Sequence, residues 1–277
     1  MRIQCSGEIV MDEDKWLYDW YEIPSFSPGD LRNAIEKLAD GEELVVEINS
    51  PGGVCYSGFE IYSVLRGCGH PTVGEVQGMA ASAASTILMG CETRRVSPVG
   101  QVMIHDPLIC ARGNAAALRE TAKYLDSVKE SILNAYELRC REKCGRAKIA
   151  QLMSEETWMT AQDAVALGFA DEIILAEGEG AEGTLPTTAA ANSVTNGLNL
   201  HNVDVLLQQY EDAVRSGERE AAAGHPVAAA PHKDPAGESG ESCVPEQESS
   251  NPTERGSDNH SDWQMEARLN LEKHKWR

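Results

Sequence analysis

Seven histidines are the first residues to sort in this sequence, because a neutral imidazole is the commonest general base near neutral pH. Five of them, His201, His225, His232, His260 and His274, lie beyond residue 200 in acid-rich, Pro/Gly/Ser-rich sequence. Of the other two, His70 sits between Gly69 and Pro71, a plain loop position. His105 closes the apolar run Val102-Met103-Ile104 and is followed by Asp106-Pro107. It therefore stands where a strand gives way to a loop, which is where α/β folds carry catalytic groups. Among the serines, Ser82 lies between alanines in Gly78-Met79-Ala80-Ala81-Ser82-Ala83-Ala84-Ser85. Such small residues let a chain turn sharply from strand into helix, the mechanics of a nucleophile elbow, and amides at a helix start face a developing anion. Close helix packing is the other use of such a stretch, and Ser85 is the competing nucleophile. A third segment, Ser50-Pro51-Gly52-Gly53, follows an apolar strand. Two glycines there suit a backbone amide presented to an oxyanion, and equally a simple tight turn. An oxyanion hole takes two donors, one of them the amide after the nucleophile, which makes Gly53 and Ala83 the candidates.

The elements that must position these residues follow from periodicity. Residues 44–49 (LVVEIN) read as a strand and 50–53 as a turn. A helix over 56–65 carries Phe59, Ile61, Tyr62 and Leu65 at helical spacing. A strand at 72–76 runs into the small-residue stretch, which continues as helix to Met89. Strand pieces follow at 95–96 and 102–104. Residues 114–143 form a long helix capped by Asn114, with a stripe of Leu118, Ala122, Leu125, Val128, Ile132, Leu133, Tyr136 and Leu138. Shorter helices cover 148–153 and 161–167, and 172–175 is a last strand. Strands alternating with helices imply an α/β architecture with parallel pairing.

Composition bounds the rest. The chain has 277 residues, 42% of them hydrophobic, and a net charge of -20, which would be repelled by nucleic acid and by anionic membrane surfaces alike. No stretch reaches the ~20 apolar residues of a membrane span, and the start, Met1-Arg2-Ile3-Gln4-Cys5, has no apolar signal region, so a cytoplasmic protein is expected. The eight cysteines are scattered without a CxxC pair and read as reduced structural thiols. Cys140 and Cys144 are spaced to share a metal, but no further Cys or His stands near them in sequence. Past residue 176 the character changes: residues 177–277 hold 18 acids against 8 Lys and Arg, half of the whole charge excess. The expected organisation is a domain over 1–176 and a disordered acidic tail over 177–277. Within the tail an amphipathic helix is expected over 203–219, with Val203, Leu206, Leu207, Tyr210 and Val214 as its stripe, and another over 263–271. A partner-docking role for this segment stands beside that of a solvated tail.

NSPGGVCYSG, GMAASAAS and VMIHDP, in this order and at these separations, together with TAQDAVALGFADEI, resemble the proteolytic subunit of the Clp protease family over residues 1–176. The resemblance implies the spiral of ββα units shared with crotonases, and a serine peptidase with a Ser-His-acid triad. It implies Gly53 and Ala83 as oxyanion donors, and homo-oligomeric rings that enclose the active sites. The helix over 114–143 corresponds to the family's handle, through which two rings would meet. The triad acid of the family is usually an aspartate just before the segment that here reads Thr157-Trp158-Met159-Thr160-Ala161. This chain has Glu156 there, and a carboxylate of either length can fix the imidazole tautomer. Glu155 and Asp171 are the fallbacks, while Asp106 is disfavoured because strand neighbours point to opposite faces. Asp106 also stands where the family commonly has glutamine. The segment 16–31 departs from the family's usual early region and resembles phage-encoded members that process capsid proteins during head maturation, and an acidic tail behind the protease fits that variant.

These readings imply acyl transfer by Ser82 and His105 on protein or peptide substrates, capsid protein among them, without metal or organic cofactor. ATP would enter through a separate unfoldase, since the sequence has no GxxxxGK[ST]. Three alternatives stand beside this one. A crotonase-type acyl-CoA enzyme would share the paired-amide hole but not need Ser82 with His105. A Ser-Lys peptidase is disfavoured by the surface-like positions of the lysines. An inactive assembly or scaffold protein would keep the fold alone.

Overall fold

The computed structural model describes residues 1–175 and 200–225. The helix expected over 263–271 and the boundary at 176/177 lie outside the described residues. The chain begins with β1 (Arg2–Ile9), α1 (Lys15–Trp20), β2 (Ser25–Phe26) and α2 (Pro28–Ile35). β3 (Leu44–Gly53), α3 (Cys55–Gly67), β4 (Thr72–Ala81) and α4 (Ala83–Gly90) follow, then β5 (Thr93–Val96) and β6 (Gln101–Ile104). The long α5 (Ala115–Cys140) leads to α6 (Arg146–Ser154), β7 (Thr157–Met159), α7 (Ala161–Leu167) and β8 (Glu172–Ile173), and α8 (Val203–Ser216) stands last.

The expected α/β architecture is present. One eight-stranded sheet runs β2-β1-β3-β4-β5-β8, with β6 against the far end of β4 and β7 on β6. The pairs are parallel except β6–β7, a departure from all-parallel pairing that brings β7 back beside β6 in the opposite sense. One face of β3 is wholly buried: Leu44, Val46 and Ile48 are out of solvent, as are Ile61 of α3 and Ile87, Leu88 and Met89 of α4, while Glu47 on its other face pairs with Arg2.

Several elements differ from their sequence-based bounds, each for a stated reason. The expected turn 50–53 is the end of β3, held extended by pairing with β1 (Glu8 opposite Gly52, Ile9 opposite Gly53), a partner more than forty residues away. Likewise β4 passes through Gly78 and ends at Ala81, because its second half leaves β5 and pairs with β6 from Met79 to Ala81. α2 is announced by a capping box in which Ser27 and Asp30 exchange hydrogen bonds, with Pro28 at its first turn. Asn114 caps α5 as expected, its side chain accepting from the amides of Ala116 and Ala117. The stripe of α5 is buried at Val128, Ile132, Leu133 and Tyr136, whereas Leu118 and Leu138 are exposed.

The chain divides into two compact units, the first including the described residues through Leu207 and the second starting at Gln208. Within the first, residues 201–206 pack on the N-terminal elements. Glu8, 4% exposed, accepts from the Tyr18 hydroxyl at 3.0 Å and from the His201 amide at 2.9 Å, with the His201 ring at 3.1 Å. The Tyr21 hydroxyl donates to the carbonyl of Leu206. α8 begins at the residue expected of it and ends three residues sooner, before Gly217 at φ 76°.

Among the described residues no helix is long and apolar enough to cross a membrane. The described cysteines are free thiols, and burial pushes those of Cys55 and Cys91 up to about 12. The pair Cys140 and Cys144 gathers no metal site: among the described residues no group of three or more His, Cys, Asp or Glu is placed to hold an ion.

Candidate active site

Strand register brings the candidate residues together. β4 pairs with β6 so that Ala81 lies opposite Met103, and the amide of Ser82 donates to the carbonyl of Met103 at 2.9 Å. β6 pairs antiparallel with β7 so that Ile104 lies opposite Thr157. One step beyond each last pair lie Ser82, His105 and Glu156, at the ends of three adjacent strands. The Ser82 Oγ is 2.8 Å from the His105 Nε2.

Ser82 occupies an unusual backbone conformation, φ 53° and ψ -123°, as the N-cap of α4. A non-glycine residue there is strained by about 1–3 kcal/mol and persists only where its surroundings over-determine it. The glycines of β3 make room for it. A Cβ on Gly52, whose φ is 95°, would stand 2.6 Å from the Ala81 carbonyl oxygen, 2.7 Å from the Ser82 Cβ and 3.0 Å from the Ala83 amide nitrogen. Gly53 lies against β1, where a Cβ would fall 2.1 Å from the Ile9 carbonyl oxygen. Around the Ser–His pair a cleft is lined by Phe59, Thr86, Leu108, Ile132 and Tyr136.

Ser85, the competing serine, is fully buried, and its hydroxyl donates to the Ser82 carbonyl at 2.5 Å. It faces the elbow's backbone and not the histidine. Burial lowers the pKa of His105, and the carboxylates of Glu156 and then Asp106 pull the other way without overcoming it. Burial thereby favours the neutral imidazole, the form a general base requires.

The acids separate clearly. Glu156 is half-buried with φ 49°, and its charge acts on His105, although no hydrogen bond joins the two side chains. Glu155 is exposed and accepts from Gln151 at 2.6 Å. Asp171 belongs to a different cluster. Its burial alone would raise its carboxyl, but the Arg94 guanidinium holds it below the usual carboxylate range. The Arg94 Nη2 lies 2.5 Å from the Asp171 Oδ1. Asp106 turns away from the Ser–His pair, as its place beside His105 predicts, and its Oδ2 receives Lys129 of α5 at 2.8 Å and Ser154 of α6 at 3.2 Å. Lys129 and Tyr136 were not legible as site neighbours, and Ser85 was legible only as a rival nucleophile. Tyr136 looks like any member of the α5 stripe, and its hydroxyl, 2.8 Å from the Ser85 Oγ, becomes meaningful only once α5 crosses α4.

The Clp protease family profile matches residues 33–177, just over half of the chain. Among curated relatives, the ATP-dependent Clp protease proteolytic subunit of Bacteroides thetaiotaomicron is 30% identical over 143 residues, covering 51% of this chain and 64% of that protein. The ATP-dependent Clp protease proteolytic subunit 1 of Protochlamydia amoebophila is 33% identical over 147 residues, covering 50% of this chain and 69% of that protein. The chain thus spans just under two thirds of the first relative's length. The largely parallel sheet with its flanking helices is consistent with the fold of those proteins, and this chain belongs to the Clp protease family.

Proposed function

We propose that the chain is a serine endopeptidase acting by acyl transfer. The observation that carries this reading is the Ser82 Oγ held 2.8 Å from the His105 Nε2 at a strained strand-to-helix elbow. His105 takes the Ser82 proton as Oγ attacks the peptide carbonyl, and returns it to the leaving amine. Water then resolves the acyl-enzyme by the same proton path. Glu156 stabilises the imidazolium that forms between these steps. The developing oxyanion is received by the amides of Ala83 and Gly53. Two features support Gly53 in this role. Val54 donates to the Ile9 carbonyl at 2.9 Å, and the bridge of Gly53 to Ile9 in a parallel ladder turns the N–H of Gly53 itself to the edge away from β1. Gly52, next to it, runs so near the elbow that a Cβ there would stand 2.7 Å from the Ser82 Cβ and 3.0 Å from the Ala83 nitrogen.

The substrates in this reading are proteins, with capsid or scaffold proteins the natural class for a peptidase followed by an acidic segment over 177–277. The active form is a homo-oligomeric ring, and an ATP-driven unfoldase is its further partner where folded substrates are taken. The relatives' printed names, ATP-dependent Clp protease proteolytic subunits, support the last point.

Incubation with a fluorophosphonate and then with a fluorogenic peptide tests the reading. Wild type should be labelled at one site per chain and hydrolyse the peptide, and Ser82→Ala should lose both. Full labelling of Ser82→Ala would remove Ser82 as nucleophile. A wild type that resists labelling but binds an acyl-CoA would move the chain to the crotonase-type reading.

A further inference from the structure

The elbow at Ser82 is held by a chain of hydrogen bonds that ends on α5. The Ser82 carbonyl oxygen accepts twice from Ser85, from its amide at 3.0 Å and from its hydroxyl at 2.5 Å. A serine hydroxyl has one proton, and that of Ser85 is donated to the carbonyl. The contact of Ser85 Oγ with Tyr136 at 2.8 Å therefore has the tyrosine hydroxyl as donor. Both side chains are out of solvent, Ser85 at 0% and Tyr136 at 1% exposure, so neither hydrogen bond competes with water. The Tyr136 ring is itself fixed edge-on to Phe169, with centroids 5.3 Å apart. Burial, against the opposing influence of Ser85 and Thr86, pushes the Tyr136 hydroxyl up to about 12, and it remains a donor throughout the working pH range.

What these bonds hold is a peptide plane. The carbonyl of Ser82 and the N–H of Ala83 belong to the same rigid unit and point in opposite directions. Fixing the carbonyl therefore fixes the direction of the Ala83 N–H as well, and Ala83 itself lines the cleft in which the carbonyl of a substrate attacked by Ser82 must lie. We propose that Ser85 and Tyr136 are positioning residues that orient the Ala83 amide for the oxyanion. This inference rests on the peptidase reading and deepens it: the second serine of the GMAASAAS segment serves as the anchor of the oxyanion donor. Because the oxyanion exists only after attack, the two residues act on the transition state and leave substrate binding untouched.

The test uses the full chain and three variants, Tyr136→Phe, Ser85→Ala and the double substitution. Active sites are titrated with the fluorophosphonate. Hydrolysis of a fluorogenic peptide gives kcat and KM, and binding of a peptide boronate, whose adduct on Ser82 places an oxygen in the oxyanion position, gives a second measure. Removing an oxyanion donor outright costs about 10²–10³ in kcat, so loosening one should cost about tenfold. The expected result is that fall in kcat per titrated site, with KM unchanged and boronate affinity weakened by the same factor. The double variant should fall no further than Ser85→Ala, because Tyr136 acts through Ser85. An unchanged kcat, a loss confined to KM, or losses that multiply in the double variant would overturn the inference. Should Ser85→Ala fail to fold, Tyr136→Phe, which deletes a single oxygen, decides by its kcat and boronate affinity. A wild type that neither labels nor binds the boronate overturns the peptidase reading and this inference with it. A reactive wild type with unaffected variants overturns this inference alone.

Discussion

At the scale of residues, the proposed acyl transfer turns on how His105 is kept neutral and then stabilised when charged. Burial lowers its pKa, and Glu156 partly offsets that. A general base works unprotonated, so kcat/KM should rise with pH as the imidazole loses its proton. The inflection should lie below the ordinary histidine value of about 6.5. Glu156→Gln removes an upward pull, so the inflection should move lower still. Its kcat should drop by about two to four orders of magnitude, by analogy with the aspartate-to-amide change in chymotrypsin-like triads. Glu155→Gln and Asp171→Asn should leave the pH profile in place, because one faces solvent and the other is committed to Arg94. A pH–rate profile of the three variants checks this, and an unmoved profile with full rate in Glu156→Gln would remove Glu156 from the triad.

At the scale of elements, the site depends on β3 ending within van der Waals contact of the β4–α4 elbow. Gly52 makes that approach possible on two counts, a φ of 95° and the absence of a Cβ that would strike Ser82 and the Ala81 carbonyl. Gly52→Ala should destabilise the fold by about 1–3 kcal/mol through overpacking and backbone strain. It should also lose fluorophosphonate labelling, since relief of the clash must displace Ser82. Gly67→Ala is the control: it ends α3 with nothing within 4 Å of its would-be Cβ and should keep stability and labelling alike. Urea midpoints and labelling rates of the pair test the argument. A labelled, fully stable Gly52→Ala would show that β3 does not set the elbow.

At the scale of the whole molecule, two features bear on assembly. α5 leaves Leu118 and Leu138 exposed on a 26-residue helix, surface that a ring partner would cover. Residues 201–206 bind the N-terminal elements through Glu8, so the part of the sequence read as tail contains a segment that packs with the first unit. A chain ending at residue 207 should match the full chain in the number of subunits per oligomer and in peptidase activity. A chain ending at residue 176 loses both His201 donors to the buried Glu8 carboxylate and should be less stable by about 1–3 kcal/mol, as expected for hydrogen bonds to a buried charge. Light scattering and thermal unfolding of both decide the matter. A monomer in either case would overturn the ring, and equal stability would show that the 201–206 contact contributes nothing.

By itself the sequence determined the local matters: which serine has small neighbours on both sides, which histidine ends an apolar strand, where Asn114 starts a helix, and that strands alternate with helices. Each of these is a short-range consequence of side-chain size, capping chemistry or hydrophobic period. α2 carried a signal of the same kind in Ser27 and Asp30, though at eight residues it shows too little stripe to stand out. Tertiary structure decided the rest. Pairing with β1 turned an expected loop at 50–53 into strand. The antiparallel return of β7 set Glu156 beside His105, across more than fifty residues of chain. The crossing of α5 over α4 gave Tyr136 a polar task inside an apolar stripe. No local rule contains these pairings, because they are chosen by which apolar faces can be buried against each other once every element has formed.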